Sequence, residues 1–167
     1  MLKIAYAVLA TLSFVPLAAH ADAAALLEGR SGSQVRGSVT FAPVGDKIRV
    51  SVQASNLTPG PHGFHIHEVG DCSAADAASA KGHFNPGGHA HGAASAAEHH
   101  AGDMPNLVAD ADGNALMTGE LSGVSLDEGA TGILGRAVVI HADPDDYTSQ
   151  PAGNSGKRVA CGVIRKL

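Results

Sequence analysis

The sequence predicts an all-β fold: an eight-stranded antiparallel Greek-key barrel or sandwich with two long functional loops. Three observations lead to this prediction. Apolar residues recur at every second position in several short runs, which is the pattern of a strand with one buried face. The 21 glycines and 8 prolines cluster between these runs, as turn residues do. Helical periodicity is scarce, and short strands separated by turns are typical of sandwiches and barrels.

The elements follow in order from the same patterns. Apolar and small residues alternate with polar ones in two runs that flank a turn at 43–46. A proline- and glycine-rich break at 58–61 precedes a strand that contains His65 and His67. Asp112-Gly113 between two later runs is a strong hairpin signal. The predicted strands are 24–30, 35–41, 48–54, the strand with His65 and His67, 107–110, 115–121, 136–141 and 158–164.

Two long segments have no strand pattern. Residues 70–106 are rich in alanine, glycine and histidine, and residues 142–157 are polar with glycine and proline. Loops of this length inside a compact domain are usually functional or disordered. Five histidines of the first loop favour a function.

The first 21 residues predict a cleavable secretory signal peptide. Lys3 precedes an apolar run from 4 to 19, and Ala19-His20-Ala21 fits a small-x-small cleavage site. The alternative is a membrane anchor, but the run is short for a span of about 20 apolar residues. The mature chain would then be a single domain, 22–167, that begins at Asp22 and has no membrane segment.

Composition limits the partners of the mature chain. Removal of Lys3 leaves 10 of the 11 Lys and Arg residues against 16 Asp and Glu. No basic patch indicates nucleic acid or anionic lipid as a partner. In an exported protein, Cys72 and Cys161 most simply form one disulfide. It would close a loop of almost 90 residues, for which the chain-entropy estimate is roughly 4–5 kcal/mol.

Two histidines one residue apart predict half of a metal site. His65 and His67 share one face of a strand, while Phe64 and Ile66 point to the other. Imidazole suits zinc, copper, iron and nickel, and an added carboxylate in a tetrahedral set suits zinc. There are more histidines than one metal needs, so two ions are plausible. The further candidates are His83, His89, His91, His99, His100, Asp103 and His141.

Five motifs together resemble copper/zinc superoxide dismutase. They are GFHIHEVGD at 63–71, GHFNP at 82–86, HAGD at 100–103, GRAVVIHA at 135–142 and GNSGKRVACG at 153–162. The resemblance extends from about residue 35 to residue 164, nearly the whole mature chain, with the motifs in the family's order. The cysteine directly after Gly70-Asp71 is more similar to the bacterial secreted branch than to the cytosolic eukaryotic one.

The resemblance implies two ligand sets that share one ring. Copper would be held by His65, His67, His83 and His141, and zinc by His83, His91, His100 and Asp103. His83 would then bridge the metals as an imidazolate. Asp145 resembles the carboxylate that joins a copper histidine to a zinc histidine, and Arg158 resembles the active-site arginine, with Cys161 anchoring its strand to the loop at Cys72.

Other histidines have simpler interpretations. His91 is preferred to His89, and His100 to His99, because their spacing from His83 and Asp103 matches the family's. We therefore interpret His89 and His99 as solvated. His62 resembles a structural histidine near the copper strand, and His20 would leave with the signal peptide.

The implied activity is dismutation of superoxide to dioxygen and hydrogen peroxide, with copper cycling between oxidation states and zinc in a structural role. His83 would also act as a general acid, and Lys81 or Lys157 would assist in attracting the anion or be ordinary surface lysines. The implied location is the periplasm. Homodimers and monomers both occur in the family. The alternatives are a periplasmic copper/zinc-binding protein without turnover and a zinc-only structural protein.

Overall fold

Antiparallel strands provide the regular structure of residues 21–167, the part of the chain that this computed structural model describes. A single 3₁₀ turn, Ala78–Ala80, is the only helical element among these residues. The strands are β1 (Ala23–Gly29), β2 (Arg36–Val44), β3 (Lys47–Ser55), β4 (Gly60–His62), β5 (Phe64–His67), β6 (Leu107–Ala109), β7 (Ala115–Leu121), β8 (Ala137–His141), β9 (Arg158–Val163) and β10 (Arg165–Lys166).

The strands form one sheet that nearly closes on itself. Their order is β4-β6-β7-β3-β2-β1-β9-β8-β5, with β10 also paired to β1, and every pair of strands is antiparallel. Because β4 and β5 are separated only by Gly63, one extended segment contacts both ends of the sheet and closes the barrel. Some neighbouring strands in the sheet, such as β3 and β7, are distant in sequence, as in a Greek key. The predicted all-β antiparallel barrel is confirmed.

Two short strands were not predicted. β4 lies where the sequence indicated a proline-rich break, and it includes Pro61. It pairs with β6 alone, at one end of the strand order, and edge strands tolerate a proline because they need no hydrogen bond on one side. β10 has two residues, too few for any periodicity to show.

The core lies inside the barrel, and β5 shows how the fold places a polar site against it. Phe64 and Ile66 are fully buried in the main hydrophobic cluster, a burial worth about 1.5–3 kcal/mol for each side chain. His65 and His67 point to the opposite face and are also buried, because the long loop covers them. The strand therefore holds two imidazoles on a rigid wall.

A disulfide joins this loop to the barrel, as predicted. Cys72 in the loop is bonded to Cys161 in β9, at a sequence separation of 89. Residues 1–20 of the predicted signal peptide, including His20, lie outside the described residues. Within the described part of the chain, we find no helix with the length and hydropathy needed to cross a membrane.

Candidate metal centre

The first ligand cluster forms where β5 meets the end of β8. His65 and His67 come from β5, and His141 is the last residue of β8, the strand paired with β5. His83 reaches them from the long loop. One nitrogen of each of these four rings lies within 4.8 Å of the others, and all four side chains are buried.

Backbone hydrogen bonds hold the long loop against the free edge of β5. The Ile66 amide donates to Gly102 O at 2.9 Å, and the Phe84 amide donates to Ile66 O at 2.8 Å. A Cβ at Gly102 would lie 2.2 Å from Ile66 O, so the approach requires glycine. This pairing brings His83 and Asp103, the neighbours of Phe84 and Gly102, beside the β5 histidines.

The second cluster lies within the loop and also consists of buried side chains. Its members are His83, His91, His100 and Asp103. Asp103 Oδ1 lies 2.8 Å from His83 Nδ1 and 3.0 Å from His91 Nδ1. Asp103 Oδ2 accepts hydrogen bonds from the backbone amides of His100 and Gly92. Burial alone would raise the pKa of Asp103, but these contacts lower it well below its usual range, so the carboxylate is ionised.

His83 belongs to both clusters, and its two ring nitrogens differ in their surroundings. Its Nδ1 faces Asp103, whereas its Nε2 is buried and has no hydrogen-bond partner among the described residues. His65 Nδ1 in the first cluster is likewise buried without a partner. Unpaired buried nitrogens cost free energy unless another group satisfies them. The first cluster thus fits a metal that prefers nitrogen ligands, and the second fits zinc.

Contacts behind the first cluster determine which nitrogen of each ring faces it. His67 Nδ1 donates to Lys81 O at 2.8 Å, which leaves Nε2 free toward His141 Nε2 at 3.4 Å. His65 Nε2 lies 2.8 Å from Asp145 Oδ2. Burial lowers the pKa of His65 and His67, and it lowers the pKa of His141 to about 4. These rings are therefore neutral near pH 7, the form in which imidazole binds metals.

Asp145 connects the two clusters. Its Oδ2 contacts His65, and its Oδ1 lies 2.9 Å from His91 Nε2. Asn106 fixes the Asp145 backbone with two hydrogen bonds: the Asp145 amide donates to Asn106 Oδ1, and Asn106 Nδ2 donates to the Asp145 carbonyl. A Cβ at Gly153 would lie 1.8 Å from Asp145 Oδ1. One carboxylate thus orients one ring of each cluster.

Arg158 lies at the start of β9, and its guanidinium is held by the long loop. Its Nη1 donates to Ala77 O and its Nη2 to Lys81 O, both at 2.6 Å. Lys81 O also accepts the hydrogen bond of His67. The guanidinium is therefore linked to the first cluster through one carbonyl. Burial lowers the pKa of Arg158, but an arginine remains charged at neutral pH.

The structure brings together all the ligand candidates that the resemblance implied. His89 and His99 are in neither cluster; the His89 side chain is 48% exposed and pairs with Glu98. His62 Nδ1 lies 2.8 Å from the backbone oxygen of His141, behind the first cluster. Lys81 and Lys157 are exposed.

Sequence reasoning missed two supporting residues. Gln150 binds the backbone of His91 from both sides, accepting from its amide and donating to its carbonyl. Asn106 holds Asp145 in a similar way. Neither residue lies in one of the five motifs. Their contacts join the loop at 142–157 to the loop at 70–106, and only the structure shows that these loops meet.

Comparison with known proteins places this geometry in context. A family described as copper/zinc superoxide dismutase matches residues 35–164. The chain is 42% identical over 154 residues to "Superoxide dismutase [Cu-Zn] 1" of Aquifex aeolicus, covering 89% of this chain and 88% of that protein. It is 41% identical over 145 residues to "Superoxide dismutase [Cu-Zn]" of Deinococcus radiodurans, covering 80% and 79%. A crystal structure of the clock protein EA4 superposes with a TM-score of 0.79 at 38% identity, covering 93% of this chain and all of that one.

Proposed function

Because this chain belongs to the copper/zinc superoxide dismutase family and acts as a superoxide dismutase, we propose which of its residues perform that reaction. Two superoxide ions and two protons give dioxygen and hydrogen peroxide. Copper, when bound, would supply the redox chemistry of both half-reactions, and zinc would be structural.

The ligand assignment follows the two clusters. Copper would be held by His65, His67, His83 and His141, and zinc by His83, His91, His100 and Asp103. The observation that supports it best is the position of His83. Its Nδ1 faces Asp103 of the second cluster, and its Nε2 is buried and unpaired among the described residues, which leaves it free for an ion in the first cluster. A ring deprotonated on both sides can bind an ion with each nitrogen.

Arg158 and His83 would act on the substrate. Since the protein is net negative, the attraction of a small anion must come from local positive charge, and the Arg158 guanidinium provides it. Its two carbonyl contacts hold it in place next to the first cluster. When no ion is bound to His83 Nε2, that atom has no partner among the described residues, so it can carry a proton and give it to a peroxide in the site. His83 would thus be a general acid.

One assay distinguishes this function from the two alternatives. The purified protein is loaded with copper and zinc, and superoxide decay is followed before and after copper alone is removed. We expect rapid decay that is lost with copper and restored by its return. Binding of both metals without decay would indicate a copper/zinc-binding protein without turnover, and failure to retain copper would indicate a zinc-only structural protein.

Asp145→Asn should weaken both metal sites. An amide cannot accept hydrogen bonds through both of its polar atoms, so either His65 or His91 would face a donor in place of an acceptor. Loss of such outer contacts typically lowers metal affinity 10–100-fold, and we expect a decrease of that size for copper and zinc. Competition with a chelator of known affinity measures it. The control Asp143→Asn makes the same charge change at an exposed carboxylate; equal affinities in the two variants would contradict the role of Asp145.

Lys81 and Lys157 would add to the attraction of superoxide. Both side chains are exposed beside site residues, and Lys81 O contacts Arg158. Lys81→Gln or Lys157→Gln should slow encounter by up to about tenfold at low salt and flatten the decrease of rate with ionic strength. The measurement is kcat/KM against salt concentration, with the exposed Lys166→Gln as control. A salt dependence equal to that of the unmodified protein rules out the contribution of that lysine.

We propose further that the chain is exported to the periplasm and that the mature protein is one domain that begins at Asp22. The Cys72–Cys161 disulfide supports export, because such bonds persist in oxidising compartments. Mass spectrometry of the protein from a periplasmic fraction identifies the mature N-terminus. Retention of residues 1–21 would contradict cleavage.

The homodimer that the family resemblance allows also stays a prediction. The native mass from light scattering decides between one and two chains. A mass of two chains supports the dimer, and a mass of one chain contradicts it.

A further inference from the structure

The turn between β1 and β2 contacts both structures that hold Arg158. Arg30 and Ser31 of this turn make four hydrogen bonds away from their own hairpin. Two of these bonds reach β9, which provides the Arg158 backbone. The other two reach the disulfide-linked loop, which provides the carbonyls for the Arg158 guanidinium.

The contacts to β9 are made at the arginine itself and at the next residue. The Ser31 hydroxyl donates to Arg158 O at 2.9 Å. The Arg30 amide donates to Val159 O at 2.9 Å. They therefore fix the start of β9, where the side chain of Arg158 leaves the barrel.

The contacts to the loop are made close to its disulfide. Arg30 Nε donates to Cys72 O at 2.8 Å, and the Ser31 amide donates to Ala75 O at 2.7 Å. Ser31 has φ 54°, a left-handed conformation that non-glycine residues seldom adopt. The side chain of Arg30 is only 18% exposed, so its bond to Cys72 O is partly shielded from water.

We propose that Arg30 and Ser31 are positioning residues that set the position of the Arg158 guanidinium relative to the first cluster. The proposal rests on the proposed role of Arg158. The disulfide joins loop and strand at one point, Cys161, three residues beyond the arginine. The amides of Glu68 and Val69 fix the loop at Gly82 and Ala80, and the disulfide fixes Cys72 to β9. The turn supplies a second link at Arg158 and Val159, so the carbonyls of Ala77 and Lys81 stay opposite the guanidinium.

The test is a double-mutant cycle on the copper- and zinc-loaded protein. The turn is altered by Arg30→Gln with Ser31→Ala, in chains with Arg158 and in chains with Arg158→Ala. Two quantities are measured: kcat/KM for superoxide, and the affinity for azide as a small anionic probe, from optical titration. With Arg158 present, we expect both to fall about threefold to tenfold, the effect of losing one or two hydrogen bonds. With Arg158→Ala, the turn variant should cause no further fall.

Arg165→Gln is the matched control, because Arg165 is exposed in the same surface groove as Arg30 and Cys72. It removes the same charge, so an equal effect would assign the result to charge alone and overturn the proposal. An equal fall in both Arg158 backgrounds, or no fall in either, would also overturn it.

If the double variant loads metal poorly, Ser31→Ala alone is compared with the unmodified protein by hydrogen exchange at residues 77–81. Faster exchange there supports the proposal, and unchanged exchange contradicts it. Failure of the proposed function itself would show separately, as absence of superoxide decay in the unmodified protein.

Discussion

His83→Ala is expected to weaken copper and zinc binding together and to abolish superoxide dismutation. His83 is the one side chain found in both ligand clusters; its Nδ1 faces Asp103 of the second cluster, and its Nε2 is buried and unpaired among the described residues. Loss of a residue that only orients a ligand costs 10–100-fold in metal affinity, so we expect loss of a direct ligand to exceed about 100-fold for each ion. Metal content after dialysis against a chelator, together with superoxide decay, measures the effect.

His89→Ala is the control for this experiment. His89 lies in the same loop, six residues from His83, but its side chain is half exposed and pairs with Glu98 outside both clusters. It should retain both metals and full activity. If His83→Ala lost only one of the two metals, the shared-ligand arrangement would be wrong, although each separate cluster could still bind an ion.

Replacing both cysteines by alanine is expected to cause the largest loss of stability. The Cys72–Cys161 disulfide spans 89 residues of sequence, and the chain-entropy estimate for such a loop is roughly 4–5 kcal/mol of unfolding free energy. That is a large share of the 5–15 kcal/mol by which natural domains are stable. Equilibrium unfolding of the metal-free protein in urea gives the free energy directly, without a contribution from bound ions.

The disulfide prediction has an internal control. A thiol reductant should lower the stability of the unmodified protein to that of the double variant and leave the variant unchanged. A loss of less than about 2 kcal/mol, below the usual range for native disulfides, would mean that hydrogen bonds such as that from Arg30 Nε to Cys72 O already hold the loop.

The barrel could be predicted from the sequence because each long strand shows its own periodicity. β2 and β3 alternate buried and less buried residues along much of their length, as expected for strands with one face in the core. The short strands β4 and β10 could not be predicted in this way. They have only three and two residues, too few to show an alternation of apolar and polar side chains. They are strands because they pair with β6 and β1.

The candidate site was predictable only in part from physical reasoning on the sequence. His65 and His67 share a strand face, and this follows from the period of two. The approach of His83, His91 and Asp103 to that face depends on loop hydrogen bonds to the β5 edge, which have no local signal in the sequence. For His83 and Asp103 the family motifs supplied the prediction, and for His91 the family's spacing from His83 did. Nothing in the motifs indicated Asn106, Gln150, Arg30 or Ser31, which act through contacts distant in sequence.

A crystal structure of the metal-loaded protein, with anomalous data at the copper and zinc absorption edges, tests the central claim most directly. We expect one copper peak beside His83 Nε2 and one zinc peak beside His83 Nδ1, on opposite sides of the same ring. A single peak, or two peaks of which only one contacts His83, would contradict the shared imidazole on which the assignment depends.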